Sequence, residues 1–360
     1  MIVRRESSNG ANDLGVVYRP CKVNELLGNE ISKKIVKNSL DTNKVPHTQL
    51  FTGDAGCGKT TVARIVALGL NCETNGVSSE PCLVCNSCRS IMNENSVDVR
   101  EINVGQSGGK DYVDAIVRDL VMAPFNSRYK VIIFDEAHEL TTAAKDLLLK
   151  PLESGYDHVY FIFCTNQPNK LRSKSKDSGE PFLDRCTVVN FGRIDNSLIK
   201  GLLTNVCEFE GFQYTGEVIN LITEESQGVP RNALVWLNQI AIEGTWSLQS
   251  AKVICGALSE DDDPQVLALC QALNKGSFKE AVDIFEKIKT IPVENIRISV
   301  DGYFVSCLKR SPKIGDARKF SSILNVSSIP IYEQGKLAGN KFYNYLFKIT
   351  DIVNDPSRRS

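Results

Sequence analysis

One glycine-rich run constrains this chain more than anything else in it. Gly53-Asp-Ala-Gly-Cys-Gly-Lys59-Thr60 fits the pattern G-x-x-x-x-G-K-S/T. It follows the apolar segment His47–Thr52 and precedes a helical pattern in which Val62, Ile65, Val66 and Leu70 recur at spacings of three and four. Strand, tight loop and helix in that order form a phosphate cradle. The backbone N–H groups of Gly53, Asp54, Ala55, Gly56, Cys57 and Gly58 curl around phosphate oxygens, and the helix that opens at Lys59, Thr60 and Thr61 adds the positive end of its dipole. Lys59 is placed to neutralise the β- and γ-phosphates, and the Thr60 hydroxyl to ligate magnesium. The expected ligand is ATP with Mg2+.

Such a unit has to sit in a parallel sheet, and the following sequence supplies one. Val97–Asn103, Lys130–Phe134, Val159–Cys164 and Thr187–Phe191 all read as strands, and the middle two are almost wholly apolar. Central parallel strands covered on both faces read this way. Strands alternating with helices imply an α/β sheet with right-handed crossovers. After Gly192 the strand signals fade. Ser197–Glu208, Gly216–Ser226 and Arg231–Glu243 read as amphipathic helices, and Ser247–Asp263 ends in the acidic run Glu260–Asp263 before Pro264. From there Val266–Asn274, Phe278–Lys287 and Phe342–Val353 are again helical in pattern. The expected organisation is a polar, mobile leader over 1–15, an α/β ATP-binding domain over 16–192, a small helical lid over 193–246 and a helical collar over 247–360. At 360 residues the chain is long enough for several cores.

Two carboxylates follow the third strand directly, in Asp135-Glu136-Ala137-His138. One at a strand tip can hold magnesium through water and the next can polarise the attacking water, so Asp135 is assigned to the metal and Glu136 to the general base. An Asp-Glu pair can also simply open a helix; beside the phosphate loop that reading recedes. Thr165 and Asn166 end the fourth strand, where a polar side chain can touch the γ-phosphate or the water. Arg231, in Gly228-Val-Pro-Arg231, opens a helix in the second domain and can reach the phosphates from there. His138 reads as a local packing or hydrogen-bonding residue.

The formal net charge of -1 supplies no global basic field, so any DNA contact must be local or come from an assembly. No run of 18 or more apolar residues is present and the N-terminus lacks an apolar stretch, so neither a membrane span nor a signal peptide is implied and a cytoplasmic location is expected. Twelve cysteines in such a chain argue for free thiols or metal ligands. Cys72, Cys82, Cys85 and Cys88 fall in one Gly/Ser/Pro-containing loop, the last three at two-residue gaps. Four thiolates suit a closed tetrahedral zinc site. They can also hold an iron–sulfur cluster, or stand as scattered free thiols; zinc is the preferred reading. The other eight cysteines show no ligand spacing and read as small hydrophobes.

A phosphate loop whose helix runs into a four-cysteine loop, ahead of an Asp-Glu-x-His box, resembles the gamma/tau subunits of the bacterial DNA polymerase III clamp loader, which are AAA+ ATPases. The resemblance runs from about Tyr18 to about Gly244 through GDAGCGKTT, LNCET, PCLVCNSC, DEAH, CTNQP, DRC and GVPRNAL. It implies that Tyr18, Arg19, Pro20, Leu27 and Gly28 line the adenine side. It also implies that Arg185, in Asp184-Arg185-Cys186, is an arginine finger acting in trans on a neighbouring subunit's ATP. The family carries serine where Asp184 stands, and a carboxylate there can pair with the finger. The family's DNA-contacting helix start corresponds to Gly108, Gly109 and Lys110, of which only Lys110 is basic. The polar loop 172–181 carries Lys174 and Lys176 and is expected to be a solvated loop.

The function so implied is that of the ATP-dependent motor subunit of a sliding-clamp loader, working in a ring-like, five-membered assembly with the clamp and primer–template DNA. Two alternatives stand beside it: another AAA+ DNA remodeller, such as a branch-migration or helicase-loading motor, and a stator subunit that barely hydrolyses nucleotide.

Overall fold

The computed structural model describes residues 13–107, 109–172, 181–255, 264–289, 291–310, 314–327 and 336–355. Most of the expected leader, most of the loop 172–181 and the acidic run before Pro264 lie outside them. The chain divides into two compact units. One runs up to Gln213 and includes Ser226–Asn238; the other joins Tyr214–Glu225 to the chain from Gln239 onward.

The first unit is built on five strands: β1 Thr48–Gly53, β2 Val99–Asn103, β3 Lys130–Asp135, β4 Val159–Thr165 and β5 Thr187–Phe191. They lie in the order β2-β3-β4-β1-β5 and every ladder is parallel. Successive residues of a strand face opposite sides of the sheet, and here both sides are core. Phe51, Val131, Ile133, Ile162 and Val189 pack with Val62, Ile65, Val66 and Leu70 of the helix Lys59–Asn71. Leu50, Ile132, Phe134, Phe161 and Phe163 pack on the other side with Val113 and Ile116 of the helix Lys110–Asp119, and with Ala144 and Leu148 of the helix Thr142–Ser154. That two-sided burial is the reason β3 and β4 read as continuous apolar runs.

The register sets the functional edge. Thr52 of β1 pairs with Thr165 of β4, Phe134 of β3 with Phe163 of β4, and Asn103 of β2 with Asp135 of β3. The carboxyl ends of β1, β4 and β3 therefore form one rim, the place where open parallel sheets bind ligands. The order puts β4 between β1 and β3, so the loop after β1 and the acids after β3 sit two strand spacings apart, roughly 10 Å, with Thr165 between them.

The helix Lys59–Asn71 is buried almost all round, including Ala67, Leu68 and Gly69. A helix without a wet face needs cover on both sides. The sheet covers one; the cysteine loop covers another, where Leu68 joins Cys72, Cys88 and Ile91 in a small core.

Beyond β5 the helices Asn196–Glu210, Gly216–Glu225 and Pro230–Glu243 form where the sequence periodicity marks them. By contacts the first belongs with the sheet, the second with the other unit, and the third spans the boundary at Asn238. The second unit continues through Leu248–Cys255, Pro264–Lys275, Phe278–Lys287, Val293–Arg310, Ile314–Ser327 and Lys336–Asn354. Its core gathers Phe285, Phe304, Phe342, Leu273 and Leu346, with the Phe285 and Phe342 rings 4.5 Å apart.

Candidate functional site

The loop between β1 and the helix Lys59–Asn71 is shaped by close approach. A Cβ on Gly53 would stand 1.9 Å from the carbonyl oxygen of Phe191 in β5, so no other residue lets the strands meet there. Gly56, at φ 78°, would drive a Cβ to 2.6 Å from Val229. Lys59 is 8% exposed. Its Nζ donates to the carbonyl oxygens of Gly53 and Asp54, at 2.8 Å each, folding the amine back over the loop. Burial lowers its pKa, which makes an anionic partner at that amine favourable. Asp54 is turned outward to Arg193 at 2.9 Å.

Ala55, Gly56, Gly58, Lys59, Thr60 and Thr61 line a cavity of about 490 Å3, together with Asp135, Glu136, Cys164, Thr165, Asn166 and Arg231. The residues read from three separate strand ends thus face one space. The Thr60 hydroxyl donates to the Asp135 carboxylate at 2.9 Å, which leaves its lone pairs for a cation. Octahedral magnesium, with oxygens at about 2.1 Å, separates neighbouring ligands by about 2.9 Å; the pair fits such an ion. Glu136 is exposed and left-handed at φ 53°, a conformation rare outside glycine and concentrated at functional sites. Its amide donates to Asp135 Oδ1 at 3.0 Å. Thr165 is buried and hydrogen-bonds His138 and the Gln167 amide, whereas the exposed Asn166 stands free at the rim.

A second cavity, about 880 Å3, shares Gly56, Gly58, Thr61 and Arg231 with the first and so abuts it. Tyr18, Arg19, Pro20, Leu27 and Cys57 line it, as does an apolar wall of Leu26, Ile194, Leu202 and Leu234. Gly28 lines neither cavity; a Cβ there would meet Ile194. The Tyr18 ring stands edge-on to Phe209 and its hydroxyl donates to Glu210 at 2.7 Å, fixing the end of the short helix Leu14–Val17 on the helix Asn196–Glu210. Burial, with Arg64 and Arg231 nearby, lowers the Arg19 pKa, so positive charge is concentrated around these cavities. The apolar wall was not singled out in the sequence. Ile194, Leu202 and Leu234 carry only an ordinary helical or linker pattern, and their convergence is tertiary.

Cys72, Cys82, Cys85 and Cys88 come together, their sulfurs within 4.8 Å of one another. Tetrahedral zinc, with Zn–S near 2.3 Å, needs sulfurs about 3.8 Å apart, so the set can close around one ion. Backbone N–H groups already aim at the sulfurs: Asn75 and Cys82 at Cys72, Val84 and Cys85 at Cys82, and Cys88 at Cys85, all at 3.3–3.5 Å. Such donors favour thiolate. A hydrogen bond from Thr74, aided by the Val84 amide, pulls the Cys82 thiol down to about 6, while burial pushes Cys88 up. Leu83 between them is held at φ 63°, a strained conformation for a bulky side chain that persists only where its surroundings over-determine it.

Arg185 lines neither cavity of its own chain. Its guanidinium binds Glu153 at 3.0 Å and the Pro181 carbonyl at 2.5 Å, and the neighbouring Asp184 is exposed. Consecutive residues of the short 3-10 turn Leu183–Arg185 point about 120° apart, which keeps the two side chains separate. Gly109 and Lys110 are exposed at the start of the helix Lys110–Asp119; Gly108 lies outside the described residues.

A family model described as DNA polymerase III, delta subunit, matches residues 28–176. The DNA polymerase III subunit gamma/tau of Mycobacterium tuberculosis is 35% identical over 225 residues, covering 62% of this chain and 38% of the relative. The DNA polymerase III subunit gamma of Buchnera aphidicola subsp. Baizongia pistaciae is 26% identical over 340 residues, 90% of each chain. This chain therefore spans well under half the length of the gamma/tau relatives it matches first. Among solved structures, the Thermotoga maritima RuvB Holliday junction branch migration motor aligns with 82% of this chain and 93% of its own at 15% identity, with a TM-score of 0.48. No helix among the described residues is long and apolar enough to cross a membrane. The motif set and the sequence alignments agree, and by them this chain is a relative of the bacterial DNA polymerase III gamma/tau subunits.

Proposed function

We propose that this chain is an AAA+ ATPase and the motor subunit of a DNA sliding-clamp loader. The observation that carries the ATPase reading is the single cavity faced by Lys59, the Thr60–Asp135 pair, Glu136 and Asn166, abutting a second, apolar-walled cavity. The second suits an adenosine and the first a triphosphate. Lys59 would leave the Gly53 and Asp54 carbonyls for the β- and γ-phosphates. Thr60 and Asp135 would hold magnesium, whose charge offsets that of the transferring phosphoryl group. Glu136 would take the proton of the attacking water, Thr165 and Asn166 would contact the γ-phosphate or that water, and Arg231 would report the phosphates to the helix it opens. Arg185, which lines neither cavity of its own chain, would reach the ATP of a neighbouring subunit. Cys72, Cys82, Cys85 and Cys88 would hold structural zinc.

The clamp-loading part rests on the similarity to gamma/tau subunits. On that reading other loader subunits, a sliding clamp and primer–template DNA are the partners. ATP uptake would create the clamp-binding state and hydrolysis on DNA would end it, with Gly109 and Lys110 among the candidate DNA contacts. Turnover decides the reading: ATPase activity should rise when a clamp and primed DNA are added together, and should fall to background in Lys59→Ala and Glu136→Gln. Wild-type turnover already at background with both partners present would refute the motor assignment.

A further inference from the structure

We propose that His138 is a positioning residue that sets which way the Thr165 hydroxyl points, and so whether Thr165 can donate to a group in the phosphate cavity. The inference rests on the reading of that cavity as a triphosphate site.

Thr165 is 1% exposed and lines the cavity. Its Oγ1 accepts the Gln167 N–H at 3.0 Å and lies 3.2 Å from His138 Nδ1. The His138 side chain is 6% exposed, and its Nε2 lies 3.3 Å from Glu139 Oε1 and 3.4 Å from the Gln167 side-chain amide. A hydroxyl has one proton and two lone pairs. Gln167 occupies one lone pair, so His138 decides the rest. A ring proton on Nε2, facing Glu139, would leave Nδ1 bare to draw the Thr165 proton to itself, and Thr165 would offer the cavity only a lone pair, which a phosphate oxygen repels. The Gln167 side-chain N–H donates to Nε2, however, so the neutral ring carries its proton on Nδ1, which donates to the second lone pair of Thr165. The Thr165 proton must then turn to the one direction left, the cavity, where an anionic oxygen would accept it.

The surroundings make this a defined relay. Three elements pack against the turn Ala137–Glu139: β4, the turn Pro168–Leu171 and the segment Val104–Ser107. The last brings no titratable group. Pro168–Leu171 brings Lys170, whose Nζ is 3.2 Å from the same Glu139 oxygen that faces His138. The remaining charged groups are those of His138's own strand end: Asp135, Glu136 and Glu139. Lys170 and His138 therefore both face Glu139, while the hydrogen bonds of the ring itself go to the Gln167 side chain and the Thr165 hydroxyl.

The test uses the full chain with ATP–Mg and ADP–Mg, comparing the ratio of their affinities by calorimetry. His138→Phe removes the Nδ1 donor that turns the Thr165 proton toward the cavity and should lower the preference for ATP by up to about tenfold, the scale of one hydrogen bond to a charged acceptor. The same substitution in a Thr165→Val background should change the ratio by less than about twofold. His138→Asn provides the same comparison should the larger ring disturb folding. An equal effect of His138→Phe with and without the Thr165 hydroxyl, or no effect at all, overturns the inference and leaves the nucleotide reading standing. Well-folded wild type that takes up neither nucleotide overturns both.

Discussion

Lys59 shows how one residue carries both a cost and a function. Its amine is held by two backbone carbonyls with its pKa lowered by burial, so the charged form destabilises the empty fold at neutral pH. That cost fades as pH rises from the folded value toward the unperturbed 10.5. Lys59→Met should therefore leave the unliganded stability within about 1 kcal/mol at pH near 7. The wild type should gain on the variant in denaturant titrations as pH climbs through that window. The same variant should weaken ATP–Mg binding by about 100-fold, since it removes charge-assisted bonds to phosphate; calorimetry reads both the affinity and the heat. Gly53→Ala is the opposite case. Its Cβ would lie 1.9 Å from the Phe191 carbonyl, so β1 and β5 must part and thermal unfolding should report a loss of more than about 3 kcal/mol.

At the scale of elements, the cysteine loop is a clip on the outer side of the helix Lys59–Asn71, and its contribution can be separated from that of the sheet. Cys85→Ser, or a strong zinc chelator, should remove about one equivalent of metal per chain in elemental analysis. Hydrogen exchange should then quicken over residues 72–92, where the N–H to sulfur bonds and the strained Leu83 depend on the closed set. Amides of β1, β3 and β4 should stay protected, because their cores lie on the sheet's own faces. Exchange that quickens equally in both regions would show that the clip and the sheet fold as one. In the helical unit, Arg297 is almost fully buried between Glu294 and Asp301, one turn either way along the helix Val293–Arg310. Arg297→Ala removes both ion pairs and the packed stem of a nearly buried side chain, and should cost about 2 kcal/mol in the unfolding of that unit.

For the molecule as a whole, the position of Arg185 makes a prediction about assembly. It lines neither cavity of its own chain, and Glu153 holds it at the surface. Arg185→Ala should keep ATP–Mg affinity within about threefold and lose about 1,000-fold in turnover. Mixing it with Lys59→Ala should restore activity above the sum of the two alone. The Lys59→Ala chains retain a finger to lend, and the Arg185→Ala chains retain an intact phosphate loop. A mixture no more active than its parts would place the finger's action within one chain or nowhere.

The sequence by itself determined what depends on local pattern. β3 and β4 were legible because strands buried on both faces must be apolar throughout. The phosphate loop, the acidic strand tip and the cysteine quartet were legible because spacing alone dictates what those groups can hold. The helices Thr142–Ser154, Val293–Arg310 and Ile314–Ser327 were not, since an internal Pro151 and interspersed polar residues blur their period. Tertiary structure alone decided the strand order that seats Thr165 between β1 and β3, the gathering of Ile194, Leu202 and Leu234 into one wall, and the choice of Glu153 over Asp184 as partner of Arg185. Those are contacts between residues far apart in the chain or on diverging faces of a turn. Their free energy depends on where the sheet and its helices come to rest, and no local window of sequence holds that information.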